Sequence, residues 1–214
     1  VHAVGDENGN IGTSALNAFK SKLVGYNFIT GTYSITGKGQ TIYLSIDSNI
    51  NEVAYNALGG RSGTVGVYNY ETGEIVCMVS SPGFDPLDPP SLADSDTSGI
   101  YINKFLSATI TPGSIFKLVT VAAAIDSNID IKNWTYTCDS TYDVNGEDVT
   151  CPISHGTVDI YGALAKSCNC AFGKLTLQIG GATMDKYVDK LGLTKSYNIN
   201  GIQTAKGSFT FPSE

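Results

Sequence analysis

The chain has 214 residues, of which 42% are hydrophobic and 15% are charged. This composition is typical of one sizeable globular domain, alone or with a flanking piece, and it excludes a disordered chain. The formal net charge of −7 and the lack of a basic cluster argue against nucleic acid as a partner. No run approaches the roughly 20 apolar residues of a membrane span. Because the sequence starts at Val1, we interpret it as an excised fragment whose anchor or export signal would lie upstream.

The first half of the chain predicts alternating strands and helices. The predicted elements are a weak helix at 14–23, a strand at 41–46, a helix capped by Asp47 or Ser48 and ended by Gly59-Gly60, and two strands at 63–70 and 74–80. The residues 71–73 would close the last two strands into an antiparallel hairpin. The prolines and small polar residues of 81–98 predict a loop.

The second half predicts mainly helices and loops. An apolar run after Ser114 has no polar face, which indicates a helix buried in the core. Three further helices are predicted at about 159–166, 171–179 and 184–191. The fold class is therefore α/β or α+β, with an antiparallel sheet that opens the fold.

The five cysteines are Cys77, Cys138, Cys151, Cys168 and Cys170. Cys77 lies in a predicted strand and is expected to be a core residue. Cys138 and Cys151 bracket a polar, turn-rich segment that a disulfide between them could close in an oxidising compartment. Cys168 and Cys170 are too close in sequence to bridge each other; a zinc site that combines them with His155 is an alternative, but the spacing fits none of the usual ligand patterns, and we expect no metal.

The segment Thr111-Pro112-Gly113-Ser114-Ile115-Phe116-Lys117 carries the clearest chemical pattern. Ser114 would begin a helix after a Pro-Gly turn, and Lys117 would lie on the same face one turn later. A serine hydroxyl needs a neighbouring base, and a lysine can serve if burial lowers its pKa. The backbone N–H of Ser114 at the helix start could also stabilise an oxyanion. The alternative is structural: Ser114 caps the helix, and Lys117 extends along the surface to water.

Pro-Gly-Ser-x-Phe-Lys resembles the active-site motif of the penicillin-binding protein transpeptidases. Ser167-Cys168-Asn169 follows in the right order and resembles the Ser-x-Asn loop of that family, although Ser167 and Asn169 alone could be capping residues. Further likeness covers nearly the whole chain, at 2–6, 23–27, 42–58, 63–86, Cys138, Cys151 and His155-Gly156. The class B, monofunctional type fits best, since no glycosyltransferase segment is visible.

The resemblance implies an incomplete β-lactamase/transpeptidase-like serine acyltransferase fold, with an antiparallel sheet and a buried central helix. Residues 1–36 would end an N-terminal region or linker, and 37–214 would be the N-terminal portion of the transpeptidase domain. Ser114 would be the nucleophile and Lys117 its base. Ser167 would relay protons to the leaving amine, and Asn169 would orient the substrate amide and Lys117.

The same resemblance implies a D-Ala-D-Ala stem peptide of peptidoglycan as substrate, and β-lactam antibiotics as ligands that acylate the serine. It implies no metal or organic cofactor, other cell-wall synthesis proteins as partners of the intact protein, and a place on the extracytoplasmic face of the bacterial membrane.

One family element is missing from the sequence. Neither Lys-Thr-Gly nor Lys-Ser-Gly occurs, and Lys38-Gly39 and Lys206-Gly207 lack the middle residue. That strand supplies the second oxyanion donor in the family, and loss of one such donor costs about 100- to 1,000-fold in rate. The 214 residues alone are therefore expected to have little or no transpeptidase activity.

Two other functions stay open at this point. The first is a class D-like β-lactamase or a β-lactam sensor of the same fold, which also uses Ser-x-x-Lys. The second is a non-catalytic cell-wall binding module in which the motif residues are structural.

Overall fold

The computed structural model describes residues 1–27 and 29–211, and the chain divides into two compact units. Unit 1 comprises residues 1–109 and 196–205, and unit 2 comprises 110–195 and 206–211 of the described residues. The expected division between residues 36 and 37 stays a prediction. No helix within the described residues is both long enough and apolar enough to cross a membrane.

The helices, in chain order, are α1 Ala15–Ala18, α2 Lys20–Val24, α3 Ser48–Leu58, α4 Lys104–Ser107, α5 Lys117–Ile125, α6 Ile160–Ala165, α7 Asn169–Ile179 and α8 Gly181–Lys190. The strands are β1 Tyr26–Asn27, β2 Thr32–Tyr33, β3 Gly63–Tyr68, β4 Ile75–Ser81, β5 Thr135–Cys138, β6 Thr141–Val144, β7 Glu147–Thr150, β8 Gly156–Asp159, β9 Asn198–Ile199 and β10 Ile202–Gln203. All five strand pairs among the described residues are antiparallel, joining β1 to β2, β3 to β4, β5 to β8, β6 to β7 and β9 to β10.

The predicted hairpin of unit 1 is confirmed. β3 pairs with β4 from Gly63↔Ser81 to Tyr68↔Ile75, and Gly73 N–H donates to Asn69 O inside the turn. Cys77, on β4, is fully buried, as expected of a core residue. Helix α3 is also confirmed: the Asp47 carboxylate accepts from the N–H groups of Asn49 and Ile50 at the start of the helix.

Two predicted elements of unit 1 differ in the structure. The helix expected at 14–23 is two short helices, α1 and α2, because Phe19 leaves the helical conformation between them (φ −109°, ψ 15°). The strand expected at 41–46 is wrong. The segment approaches β4 through Asp47 N–H to Val76 O (2.9 Å) and the Ser45 hydroxyl to Ile75 O (2.7 Å), and these contacts at one end form no ladder.

The core of unit 2 consists of α5, α6, α7 and α8 with the strands β5 and β8. Its largest fully buried side chains include Leu175 on α7 and Met184 on α8. The prediction that α5 is a helix buried in the core is confirmed for one of its faces. Lys117, Thr120, Ala123 and Ala124 are buried, whereas Leu118 and Ile125 are 60% and 62% exposed. The helix is therefore buried on one face, and that face includes the lysine.

The turn-rich segment between Cys138 and Cys151 forms a hairpin of β6 and β7 rather than an irregular loop. Asn145 and Gly146 both have positive φ, 53° and 89°, as the central residues of a type I′ turn require. The hairpin packs against α7, where a side chain at Gly173 would meet Val144 Cγ2 at 3.1 Å. This packing places Thr150 and Cys151 next to the start of α7.

Candidate functional site

Ser114 lies on a turn of 3₁₀-helix, Gly113–Phe116, that leads directly into α5. Gly113 has φ 59°, a conformation that a glycine adopts without strain. The expectation that Ser114 begins the long helix is therefore corrected: α5 begins at Lys117, one turn later. The helix cap is Phe116, and the Ser114 hydroxyl is not used as a cap. Ser114 is exposed, so its Oγ is open to an incoming reactant.

Lys117 is 8% exposed, and its amine lies among oxygen atoms. Nζ donates to Asn169 Oδ1 at 2.7 Å, Ser167 Oγ at 2.8 Å, Ser167 O at 3.0 Å and Ser114 Oγ at 3.1 Å. The Phe172 ring lies on the apolar side, with its centroid 5.7 Å from Nζ. The interpretation of Lys117 as a surface residue is wrong, and all four predicted site residues meet at this amine.

Burial lowers the pKa of Lys117 below the 10.5 of an ordinary lysine, and negative charge on Cys151 and Cys168 would oppose that shift. An ammonium has three hydrogens, but four oxygens surround Nζ. A neutral amine would instead keep two hydrogens and use its lone pair to accept from a hydroxyl. The Ser114 hydroxyl, at the longest of the four distances, is positioned to donate to that lone pair.

Ser167 occupies a backbone position that usually carries glycine. It follows the end of α6 with φ 50°, Ser167 N–H donates to Leu164 O, and Cys168 N–H donates to Ala163 O. These two bonds form a Schellman motif, whose left-handed residue is normally Gly or Asn. The strained turn directs the Ser167 hydroxyl to Ser114 Oγ, to which it donates at 2.8 Å.

Asn169 is the first residue of α7 and connects the amine to the neighbouring hairpin. Its Oδ1 accepts from Lys117, and its Nδ2 donates to Thr150 O at 2.8 Å. The cap of α7 is Cys168, whose sulfur accepts from Ala171 N–H. The capping interpretation of Ser167 and Asn169 is therefore wrong. Both side chains instead accept a hydrogen bond from Lys117 Nζ.

An open pocket of about 320 Å³ adjoins this cluster. Its lining combines Lys117 and Asn169 with apolar residues of α7 and the β6–β7 hairpin. An apolar cleft with a few convergent polar groups is typical of a small-molecule or substrate site.

The cysteines of unit 2 converge next to the Ser167 loop. Cys138 Sγ, Cys151 Sγ, Cys168 Sγ and a ring nitrogen of His155 lie within 4.8 Å of one another. The disulfide considered between Cys138 and Cys151 is not formed, and all five cysteines are free. Burial raises the pKa of the Cys168 and Cys170 thiols. Burial also opposes ionisation of Cys138, but hydrogen bonds from the backbones of His155 and Ser140 outweigh it and lower the pKa of Cys138. The sequence contained these ligand types, but their spacing gave no recognisable pattern.

Comparisons with known proteins agree on one family. The model of the penicillin-binding protein transpeptidase domain matches residues 63–213. The probable peptidoglycan D,D-transpeptidase PenA of Neisseria flavescens is 30% identical over 168 residues, which are 75% of this chain and 40% of that protein. The peptidoglycan D,D-transpeptidase PbpA of Mycolicibacterium smegmatis is 29% identical over 206 residues, 84% of this chain and 41% of that protein.

Two solved structures show the same fold. Penicillin-binding protein A from M. tuberculosis, solved as a ceftriaxone acyl-enzyme complex, superposes with a TM-score of 0.74 at 23% identity over 90% of this chain and 50% of that one. The D,D-transpeptidase domain of a peptidoglycan glycosyltransferase from Eggerthella lenta superposes with the same TM-score of 0.74. Its sequence is 20% identical, and the match covers 98% of this chain and 50% of that one. The chain thus spans about half of these solved chains and two fifths of the two relatives.

Proposed function

The chain belongs to the penicillin-binding protein transpeptidase domain family, in its class B branch, and on that premise we propose that the protein is a serine D,D-transpeptidase acting through Ser114. The observation that carries the proposal is the contact of one buried amine, Lys117 Nζ, with Ser114, Ser167 and Asn169. A nucleophile, a base and orienting groups within hydrogen-bond reach are the geometric signature of acyl transfer through a serine.

In the proposed reaction, the substrate is a peptidoglycan stem peptide that ends in D-Ala-D-Ala. Neutral Lys117 takes the proton of the Ser114 hydroxyl as Oγ bonds to the carbonyl carbon of the penultimate D-Ala. The peptide C–N bond then breaks, and the terminal D-Ala leaves with a proton that Ser167 is placed to pass from Lys117. An amine of a second stem peptide attacks the resulting ester, the C–O bond breaks, and Ser114 regains its proton.

A β-lactam follows the first half of the same path. Its ring C–N bond opens as Ser114 Oγ bonds to the carbonyl carbon, and the nitrogen stays tethered to the acyl group. Asn169 has a fixed role in both reactions because its side chain is held from two sides, by Lys117 and by Thr150 O. It positions the lysine amine and offers its amide edge to the bound acyl group.

The setting of the reaction is part of the proposal. Its substrate places the protein on the extracytoplasmic face of the bacterial membrane, where other cell-wall synthesis proteins would be its partners. Export can be measured directly by protease accessibility of the protein in spheroplasts.

The test is covalent labelling of the full-length protein with a fluorescent penicillin. Ser114→Ala is expected to abolish the label. Ser127→Ala is the matched control, because Ser127 lies just beyond the other end of α5, where its hydroxyl donates to Ala124 O and accepts from Ile129 N–H. Unchanged labelling of Ser114→Ala contradicts the proposal. Rapid turnover of nitrocefin by the unmodified protein would favour a β-lactamase instead.

A further inference from the structure

The β1–β2 hairpin and the residues that follow it expose apolar side chains that the proposed reaction does not use. Ile29 is 96% exposed, Ile35 is fully exposed, and Tyr33 is 64% exposed. We name these three residues, together with Lys22 and Lys38, the hairpin patch. We propose that the hairpin patch docks on the surface of an anionic lipid bilayer. The patch lies in unit 1, and this docking does not depend on the acyl transfer proposed for the serine centre of unit 2.

The members of the hairpin patch converge because the chain after β2 returns to α2. Ser34 N–H donates to Gly25 O at 2.7 Å, just after the end of α2, and Gln40 N–H donates to Lys22 O at 2.8 Å. An open groove of about 620 Å³ lies between these pieces of chain, and its lining includes both lysines and all three apolar residues of the patch. Exposed apolar side chains that meet at one place mark a contact surface, whereas scattered ones do not.

The charge of this part of the chain is opposite to that of the whole. Lys20, Lys22 and Lys38 are the only charged residues between Glu7 and Asp47, in a chain of net charge −7. All three lysines are exposed, and none of them forms an ion pair with the described residues. Each lysine close to an anionic bilayer strengthens binding about fivefold. The acidic remainder of the chain is repelled by the same surface, so the field of the bilayer orients the patch toward the lipid.

The turn of the hairpin satisfies its own backbone groups, as contact with the lipid interface requires. Asn27 Oδ1 accepts from Ile29 N–H at 2.9 Å and from Thr30 N–H at 3.3 Å. Asn27 O accepts from Gly31 N–H at 2.9 Å, and the hydroxyls of Thr30 and Thr32 are 2.9 Å apart. Water can therefore leave the turn without stranding the N–H groups of residues 29–31.

Composition and charge favour lipid over a second copy of the chain as the occupant of this surface. In a symmetric contact the patch would meet itself, and the lysines of both copies would repel each other. A bilayer interface accepts each type of side chain in the patch. Isoleucine enters the acyl boundary, tyrosine lies at the level of the headgroups, and lysine extends to the lipid phosphates.

The experiment places a fluorescent probe at residue 35 of the full-length protein and measures its quenching by nitroxide-labelled lipids. All five cysteines of the 214 residues are buried, so Ile35→Cys can be labelled selectively. Leu87→Cys is the matched control, because Leu87 also lies in unit 1 and is 82% exposed but is flanked by Asp85 and Asp88. In bilayers that contain phosphatidylglycerol, the probe at 35 should be quenched and the probe at 87 should not. No quenching at 35, or equal quenching at both positions, overturns the proposal.

The contribution of the lysines is measured in the same labelled protein. Lys22→Gln and Lys38→Gln should each lower the ratio of docked to free hairpin, read from the quenching, by about fivefold. Lys186→Gln removes the same charge from an exposed position on α8 and should leave the ratio unchanged. Quenching at 35 should also fall in about 1 M salt, where charges are screened beyond about 3 Å. Equal quenching in bilayers of phosphatidylcholine alone would contradict the role of the lysines.

Hydrogen exchange of the unmodified protein tests the same contact without any substitution. Vesicles that contain phosphatidylglycerol should slow exchange at 29–38 and leave exchange at 85–88 unchanged. Unchanged exchange at 29–38 overturns the proposal. Protection at 29–38 that grows with protein concentration in the absence of lipid would assign the surface to a second copy of the chain, and it overturns the proposal as well.

Discussion

Ser167 Oγ lies 2.8 Å from Ser114 Oγ, although the two serines are 53 residues apart in the chain. One serine belongs to the 3₁₀ turn before α5, and the other to the turn between α6 and α7. The Lys117 amine contacts both hydroxyls, at 3.1 Å and 2.8 Å, so a proton can pass between the serines through a single group.

Removal of the Lys117 amine should disable acylation while the protein stays folded. A positioned general base contributes about 100- to 10,000-fold in rate, so we expect Lys117→Ala to slow penicillin acylation by this factor. Lys117→Arg should be equally slow, because a guanidinium does not lose its proton in proteins. Stopped-flow acylation measures the rates. Lys174→Ala is the control and should leave the rate unchanged, because the amine of this α7 lysine lies over the Tyr142 ring. An Arg variant at wild-type rate would show that no base is needed at 117.

Replacement of Asn169 by Asp should move the pH dependence of acylation to higher pH. A carboxylate 2.7 Å from Nζ favours the charged lysine and raises its pKa by about 1–3 units. A higher pH is then needed for the neutral amine. The midpoint of the rate–pH profile is the quantity to measure, with Asn169→Ala as the uncharged control. A midpoint that stays in place, or falls, in Asn169→Asp would contradict the role of Lys117 as base.

Substitutions of Ser167 should affect the stability of the protein and its rate of acylation independently. Ser167→Gly and Ser167→Ala both remove the hydroxyl, but only glycine relieves the strain of φ 50°. We expect the Gly variant to be more stable to denaturant than the Ala variant by about 1 kcal/mol, with both acylated slowly. Equal stability of the two variants would mean that the left-handed turn is not maintained in solution.

In unit 1, two glycines of the same strand should respond differently to alanine. A Cβ at Gly66 would lie 1.9 Å from Phe105 Cε2, whereas a Cβ at Gly63 would meet Leu58 Cδ2 at an ordinary 3.7 Å. Gly66→Ala should therefore lower the free energy of unfolding by about 1–3 kcal/mol, the usual cost of overpacking. Gly63→Ala should leave it nearly unchanged. Chemical denaturation of the two variants checks the difference.

Local sequence signals predicted the parts of the molecule whose geometry is local. The contact between Ser114 and Lys117 follows from their spacing of one helical turn. The cap at Asp47 and the turn at 71–73 are likewise set by neighbouring residues in the sequence. The β6–β7 hairpin could also have been predicted, because Asn145-Gly146 is a strong type I′ signal that the polar composition obscured. The strand predicted at 41–46 does not form, because a high strand propensity does not provide a neighbouring strand with which to pair.

The thiol cluster could not be predicted from spacing because its ligands meet through tertiary pairing. Antiparallel pairing of β5 with β8 joins Cys138 to Gly156, the residue after His155, and the β6–β7 hairpin returns the chain to Cys151. The αL turn at Ser167 then directs Cys168 toward them. None of these three relationships has a fixed separation in sequence.

The most direct test of the account is the pH dependence of Ser114 acylation by penicillin G in the full-length protein, from about pH 6 to about pH 11. The pKa of Lys117 is lowered by burial, and only the neutral amine accepts a proton. We expect the rate to rise with pH and to level off, with a midpoint below 10.5. In Lys117→Ala the rate should be slow at every pH and should lack this rise. A rate that falls with pH, or a profile that Lys117→Ala leaves intact, would contradict it.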